Sequence, residues 1–433
     1  MIGEIYMKQL SLILIGGGDR GSSYLRYLEK NPGKFRVAGI AEPVKAKREY
    51  LAHKYDISSD MCFESYEELL SKPKFADIAM ICTQDKMHFA PAMMAIEKKY
   101  DLLLEKPIAP TPEECMQIVN AAEKNEVKVL VGHVLRYTPF YKFIKNFIDS
   151  GKLGDIINIT HTEGVGITNM SHSYVRGNWR KTAESAPMIL AKCCHDTDLI
   201  QWMLGKDCQA VQSFGELTYF VEENAPEGAT RRCLDGCPHK DNCLYYAPDF
   251  YKVNTAEIHH FRAIVANKFE PTDEEVDEAL KTSPYGRCVY YCDNDVVDHQ
   301  ILNMKFSGGI NAALIMSPFN KTGRITTFMG TKGELRTDME AQTVWFYDLK
   351  TREETQLYTA DAQYDQTIAG GHGGGDMGIM EDLYDYIATG KASSSISDVS
   401  FSAMSHMIAF AAEKSRLEDC VVNIEKFTDE VVK

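Results

Sequence analysis

The sequence predicts an α/β protein in two parts. A doubly wound parallel sheet is expected over residues 1–133, and an α+β domain with a mostly antiparallel sheet over residues 134–433. Three observations carry this. Short apolar runs alternate with amphipathic, helix-spaced segments through the first third of the chain, the pattern of βαβ units. After Tyr137 the alternation gives way to successive strand-like runs separated by turn residues, the pattern of a meander. The first apolar run, Ser11–Ile15, leads directly into a glycine turn that opens a helix.

Ser11–Ile15 has the apolar, β-branched character of a buried parallel strand. Gly16-Gly17-Gly18-Asp19-Arg20-Gly21 then contains G-x-G-x-x-G, and each glycine has a task. Gly16 allows a tight turn, Gly18 lets a pyrophosphate approach the backbone, and Gly21 lets the helix pack close to the strand. The N–H groups of that helix, which begins around Asp19 and Arg20, face the pyrophosphate. Phe35–Ile40 is the second strand. Glu42 follows about 20 residues beyond the turn, where a carboxylate bonds ribose hydroxyls and repels a 2′-phosphate, so NAD is expected and NADP disfavoured. Ser65–Glu68 and Thr111–Glu114 are helix-start signatures, the second with Pro112 at the first helical position. Asp77–Cys82, Asp101–Leu104 and Val127–Val131 are further strands, with a helix over His88–Lys99. Thr83, Glu105 and Lys106 stand just past strand ends, where open α/β sheets bind ligands, and complete the expected cofactor set. Lys106, fixed by Pro107, also suits a cation that stabilises developing negative charge on a substrate.

In the second part the strand candidates are Ile156–Thr160, Val211–Tyr219, Val296–Phe306, Gly309–Met316, Ile325–Gly330 and Val344–Tyr347. Residues 185–204 read as one helix entering after Pro187, with His195 and Asp196 interrupting its apolar side. A histidine there can accept a proton near neutral pH. The stretch 172–180 is dense in donors: His172, Arg176, Asn178 and Arg180 suit a polyhydroxylated ligand, and Trp179 suits a sugar face. Gly370–Asp376 holds five glycines in seven residues, which requires close backbone approach or positive φ. His372 and Asp376 are expected to face a pocket there, with Asp376 capping a helix over Met377–Ala388. Val399–Arg416 reads as a core helix in which His406 is a packing histidine.

Cys233, Cys237 and Cys243 are spaced C-x3-C-x5-C in an insertion around residues 230–245, with Gly236, Pro238 and Asn242 suited to a ligand knuckle. Three thiolates and a fourth donor would satisfy tetrahedral zinc. Cys288 is the fourth residue of the expected set, His239 and Cys292 are alternatives, and plain reduced thiols in a loop are the competing reading. The metal would be structural.

The formal net charge of -15 disfavours nucleic acid and anionic membrane as partners. No apolar run reaches membrane-spanning length. Leu10–Ile15 is too short for a signal peptide core and ends in glycines, so twelve cysteines read as reduced thiols or metal ligands in a cytoplasmic protein.

The glycine turn, Ala41-Glu42-Pro43, Glu105-Lys106-Pro107, Gly132-His-Val-Leu-Arg-Tyr137 leading into Pro139-Phe140, and Ser150-Gly-Lys-Leu-Gly-Asp155 together resemble the glucose–fructose oxidoreductase / inositol dehydrogenase / MocA (Gfo/Idh/MocA) family over essentially the whole chain. The resemblance implies a Rossmann domain followed by an α+β domain whose large, open, mostly antiparallel sheet commonly forms the oligomer interface, hence a homodimer or homotetramer. It also implies hydride transfer between NAD(P) and sugars, polyols or their derivatives. Lys106 matches the family's active-site lysine, and His195 its helix histidine, the usual general base. Arg136, Lys192 and Asp196 join the expected substrate-binding set. Ala191 stands where many members carry Asp, so proton transfer is expected to rest on His195, on Lys192 or on a group from elsewhere. The chain thus reads as an NAD-dependent oxidoreductase of a sugar or glycoside hydroxyl, with His195 taking the hydroxyl proton and Lys106 polarising the oxygen. Redox-neutral glycoside cleavage by oxidation, elimination and re-reduction is a second reading, and a non-catalytic NAD-dependent sensor a third.

Overall fold

The computed structural model describes residues 8–253, 255–321, 323–359 and 373–432. They form two compact units. One comprises the described residues up to Lys142, those from 373 to 406, and the last two; the other comprises residues 143–359 and 407–430.

The first unit is built on six parallel strands: β1 (Leu10–Ile15), β2 (Phe35–Ala41), β3 (Cys62–Phe63), β4 (Ile78–Ile81), β5 (Asp101–Leu104) and β6 (Val129–Val131). Their order is β3-β2-β1-β4-β5-β6, with β1 buried at every position. The order reverses between β1 and β4, and the glycine turn leaves β1 at that switch point. Five helices connect the strands: α1 (Asp19–Lys30), α2 (Lys45–Lys54), α3 (Tyr66–Ser71), α4 (Phe89–Glu97) and α5 (Pro112–Asn125). Both expected starts are present: Ser65 Oγ accepts from the Glu68 N–H, and Thr111 Oγ1 from the Glu114 N–H. The helix Gly375–Thr389 adds Ile379, Met380, Leu383 and Tyr384 to the core made by Leu12, Leu14 and Leu130. A single boundary after residue 133 does not anticipate this return, because nothing in the spacing of the later helix marks which core it joins.

The second unit carries nine strands: β7 (Ile156–Gly164), β8 (Cys208–Glu216), β9 (His299–Phe306), β10 (Asn311–Ser317), β11 (Gly323–Gly330), β12 (Gly333–Asp338), β13 (Thr343–Asp348), β14 (Glu354–Thr359) and β15 (Val422–Asn423). They form one sheet ordered β14-β13-β12-β11-β7-β10-β9-β8-β15, antiparallel throughout except for β7 beside β10. All six expected strands are present. β12, β14 and β15 escaped notice because GELRTD and ETQLYT are mostly polar and β15 has two residues.

One face of this sheet is open. Phe214, Ile301, Ile315, Thr162 and Ile325 are paired in register across five neighbouring strands. Four of these five side chains are large, apolar and between 42% and 51% exposed. A hollow of about 580 Å³ lies alongside, lined by Thr160, Gln212, Asn303 and Asn311 among others. The opposite face is buried along β8, β9, β10, β7, β11 and β12, and β14 buries no residue on either face.

The helix expected over residues 185–204 is two: α6 (Met188–Ala191) and α7 (Cys194–Leu204), with Lys192 and Cys193 in the break. Residues Met170–Arg176 are a buried π-helical segment, so the first half of the expected donor-rich loop lies inside the unit. Among the described residues no helix is long and apolar enough to cross a membrane.

Candidate active site

In the first unit Gly16 and Gly21 have the steric roles their spacing predicts. Gly16 has φ +94°, and a Cβ there would sit 2.6 Å from the Cys82 carbonyl oxygen. A Cβ on Gly21 would sit 2.4 Å from the Gly16 oxygen, so α1 packs against the turn only because the side chain is missing. A Cβ on Gly18 would meet nothing within 4 Å. Gly18 is also the N-cap of α1, and no side chain caps the helix. An open approach and a helix N-terminus left uncapped by any side chain fit the pyrophosphate of a dinucleotide. Glu42, buried at the end of β2, turns its carboxylate towards this turn, accepting from the Gly17 N–H (2.7 Å) and the Val44 N–H (2.9 Å). Thr83, past the end of β4, donates its hydroxyl to the Met87 carbonyl.

Glu105 stands at the end of β5 with its side chain 4% exposed. Its Oε1 accepts from Arg20 Nε (2.8 Å) and the Tyr24 hydroxyl (2.5 Å), and its Oε2 from the Lys106 N–H (3.0 Å). Burial alone would raise this carboxyl; the Arg20 guanidinium, then Lys106, hold it below its ordinary value. Arg20 is itself clasped by Asp376, Nη2 to Oδ1 at 2.7 Å and Nη1 to Oδ2 at 3.1 Å, and lies 4.6 Å from the Tyr24 ring centroid. The turn before Asp376 is glycine-rich for a steric reason: Gly374 has φ +90°, and a Cβ on Gly375 would sit 2.2 Å from the Val134 oxygen.

Three expectations change here. Arg20 was assigned to the cofactor, but its guanidinium is spent on two carboxylates. Asp376 was assigned to substrate and to a helix cap; it is fully buried, Gly374 is the N-cap with no side-chain bond, and the Asp376 partner is Arg20. His372 lies outside the described residues. Arg136 is buried too, with Nη1 near the Ile396 carbonyl and its guanidinium over Phe401. His88, not singled out from sequence, has Nδ1 2.6 Å from the Pro107 oxygen and Nε2 3.0 Å from the Thr83 oxygen, and so ties together the loops after β4 and β5. His406 behaves as expected, accepting from the Ile108 N–H and facing the Ser402 carbonyl.

In the second unit the helix break puts His195 in the first turn of α7, 6% exposed, three residues after Lys192. Lys192 Nζ lies 3.3 Å from Glu163 Oε1, and Arg324 Nη2 2.9 Å from Glu163 Oε2. Arg324 Nε also reaches Asp196 Oδ1 (2.6 Å), which faces His161 Nε2 at 2.9 Å; His161 Nδ1 faces Thr326 Oγ1. Burial would raise the Asp196 carboxyl, but Arg324 and His161 hold it well below the usual range. Asp196 is therefore an internal member of this charge network, with 0% exposure. Glu163, His161 and Arg324 were missed because they sit on strands, where alternation signals packing and says nothing about ion pairs. Glu163 and Asp196 bring carboxylates to the neighbourhood that Ala191 leaves without one.

The donor-rich stretch divides. His172 is stacked between Phe261 (3.8 Å) and Tyr285 (4.7 Å), with Nδ1 2.9 Å from the Tyr251 hydroxyl, and burial holds its pKa well below the ordinary value. Arg176 is fully buried, donating to the Arg287 and Tyr245 carbonyls. Arg180 pairs with Asp293 and Glu184. Asn178 is exposed and Trp179 half-buried. His172 and Arg176 are thus built into a secondary core, not presented to a ligand. Among the described residues no group of three or more His, Cys, Asp or Glu side chains is arranged to hold a metal ion, so the expected set Cys233, Cys237, Cys243 and Cys288 is not a formed cage. His239 directs Nε2 to the Glu227 carbonyl.

A family model described as oxidoreductase family, NAD-binding Rossmann fold (GFO_IDH_MocA) matches residues 10–133, and the model of the C-terminal alpha/beta domain matches residues 145–416. YteT of Bacillus subtilis (strain 168) is 27% identical over 382 residues, 82% of this chain and 81% of that protein. Inositol 2-dehydrogenase of Salmonella typhimurium (strain LT2) is 24% identical over 202 residues, 46% of this chain and 56% of that one. The structure of levoglucosan dehydrogenase in complex with NADH and levoglucosan shares the fold at a TM-score of 0.67 and 17% identity, covering 96% of this chain and 100% of that one.

Arg20→Met leaves Glu105 and Asp376 without their cation, and urea unfolding at pH 7 should show a loss of about 3–5 kcal/mol. In the wild type the Glu105 contribution is complete above the ordinary glutamate value of about 4.3 and is lost as pH falls through the lower folded value. In Arg20→Met burial is opposed only by Lys106 and the Tyr24 hydroxyl, so the carboxyl rises relative to the wild type and the gap between the two proteins should narrow as pH falls below about 5. Parallel stability–pH curves would contradict this assignment.

Proposed function

This chain belongs to the Gfo/Idh/MocA oxidoreductase family, an NAD(P)-dependent enzyme, and we propose that it moves hydride between NAD and a hydroxyl-bearing carbon of a sugar or glycoside. The observation that carries the choice of cofactor is the α1 N-terminus, open at Gly18 and uncapped by any side chain, with the Glu42 carboxylate turned towards it. When bound, NAD supplies the hydride acceptor. The N–H groups around Gly18 hold its pyrophosphate, and Glu42 favours an unmodified ribose and disfavours a 2′-phosphate.

Lys106 stabilises negative charge on the reacting oxygen, and His195 accepts the hydroxyl proton. Lys192, held by Glu163, supplies a second proton-handling group. Inositol 2-dehydrogenase and levoglucosan dehydrogenase act on polyhydroxylated rings, which supports a carbohydrate substrate. Trp179, Asn178 and Arg180 are the residues of the 172–180 stretch that remain outside the buried core and suit such a ligand. Lys192, three residues before His195, also suits the second reading, redox-neutral glycoside cleavage. Elimination needs one group to take the C–H proton beside the oxidised carbon and another to protonate the departing oxygen. The reaction belongs in the cytoplasm, where twelve free thiols remain reduced. The open, apolar face of the nine-stranded sheet is an interface between copies of the chain.

Incubation with NAD and a panel of free sugars and glycosides, following NADH absorbance and aglycone release together, separates the readings. Net NADH supports dehydrogenation; aglycone release without net NADH supports cleavage. Silence from every compound, with NAD bound, would leave only the sensor. His195→Asn and Lys106→Met should each lower kcat by about 10²–10⁴, and His195→Asn should leave NAD affinity unchanged.

Sedimentation velocity should find a dimer or tetramer, and Ile301→Lys with Ile315→Lys should yield a folded monomer. A monomeric wild type, or an unaffected double variant, would remove the sheet-face interface.

A further inference from the structure

Lys192, Glu163, Arg324, Asp196 and His161 form one network in the second unit, and strand register places it. Arg324 of β11 lies opposite Glu163 of β7, and Thr326 lies opposite His161. Glu163 and His161 are two residues apart on one strand, so both point to the same face of the sheet. Asp196, in the first turn of α7, meets that face: its Oδ1 accepts from Arg324 Nε at 2.6 Å and lies 2.9 Å from His161 Nε2. Glu163 and Asp196 are inside, at 2% and 0% exposure, whereas the Lys192 and Arg324 side chains keep 19% and 12%. The anions are buried, and the cations are the members that remain accessible.

One guanidinium faces two carboxylates here. Arg324 serves Asp196 through Nε and Glu163 through Nη2. Its Nη2 is 2.9 Å from Glu163 Oε2, yet that buried oxygen has no partner of hydrogen-bond geometry among the described residues. His161 needs no charge to fill its place: the Thr326 hydroxyl can donate to Nδ1, and Nε2–H can then donate to Asp196. Burial holds the Cys193 thiol well above its ordinary value, so it contributes no charge. Glu340, raised by burial, feels both Arg324 and Glu163; ionised, it adds negative charge and so calls for the same cation. That cation is Lys192, whose Nζ lies 3.3 Å from Glu163 Oε1. A buried carboxylate stays ionised only when such a charge stands beside it.

We propose that Glu163 is a positioning residue: fixed on β7 with Arg324 at its second oxygen, it holds Lys192 as an ammonium three residues before His195, so that Lys192 donates and His195 alone accepts a proton. An amine kept protonated cannot act as a base. The carboxylate that Ala191 does not supply thus comes from a neighbouring strand, and it acts on Lys192, not on the histidine. What the donor acts on, an oxygen of a sugar or glycoside, rests on the hydride-transfer reading. The division of roles does not, because it follows from the charges of the network.

The test is competitive acetylation of the full chain with trace acetic anhydride, which reacts with uncharged amines only. Peptide mass spectrometry reads Lys192, with the exposed Lys206 as internal reference. The experiment needs neither NAD nor a sugar, so its failure is distinct from failure of the hydride-transfer reading. At pH 8 the Lys192-to-Lys206 ratio should rise about tenfold in Glu163→Gln and stay within about threefold of wild type in Glu163→Asp, which keeps the charge. A merely structural role would move both variants together. Because the glutamine variant could fail to fold, the unsubstituted protein gives an independent reading: labelling of Lys192 should begin to rise at no lower pH than that of Lys206. An unchanged ratio in Glu163→Gln, equal ratios in the two variants, or labelling of Lys192 that rises before Lys206 would overturn the proposal.

Discussion

The first unit depends on keeping one buried carboxylate, Glu105, ionised. A lone carboxylate inside a protein loses so much hydration that it protonates instead. Arg20 prevents this, and Arg20 in turn is held in place by Asp376. Three segments far apart in sequence share this one charge cluster: the glycine turn with α1, the end of β5, and the glycine-rich entry to the helix Gly375–Thr389. Since the second Glu105 oxygen accepts the Lys106 N–H, the cluster also fixes the backbone from which the Lys106 ammonium projects. The sheet supplies the platform, but this ion cluster aligns the loops that stand at its carboxyl edge.

The second unit solves a similar problem with a longer chain of charges. Glu163 and Asp196 are almost fully buried and are matched by Arg324, Lys192 and His161. The break between α6 and α7 lets Lys192 reach Glu163 while His195 sits in the first turn of the next helix. Removing any one member would leave an unmatched buried charge, which is why such networks hold side chains in fixed positions.

Much of the fold was legible in the sequence. Apolar runs of four to six residues with turn residues at their ends located β1, β2, β4 and β5. The glycine spacing located the turn between β1 and α1, because the missing side chains of Gly16 and Gly21 leave a steric trace that spacing preserves. Ion pairs between distant segments leave no such trace. Nothing local to Arg20 says that its partner lies 356 residues away, so a residue in the phosphate turn was read as a phosphate ligand. His172 and Arg176 were misread for the complementary reason. Donor-rich residues look alike whether they face a ligand or close a secondary core, and only Phe261, Tyr285 and the cysteine segments decide which. The helix over residues 185–204 was read as continuous because its apolar spacing carries through the break at Lys192.

Whether the Arg20 cluster shapes a site for NAD is tested most directly by calorimetric titration of NAD and NADP into the wild-type chain and into Asp376→Asn. The account predicts that NAD binds in preference to NADP and that the substitution weakens NAD binding by about tenfold while the fold persists. Wild-type protein that takes up no NAD, or an Asp376→Asn variant with unchanged affinity, would contradict it.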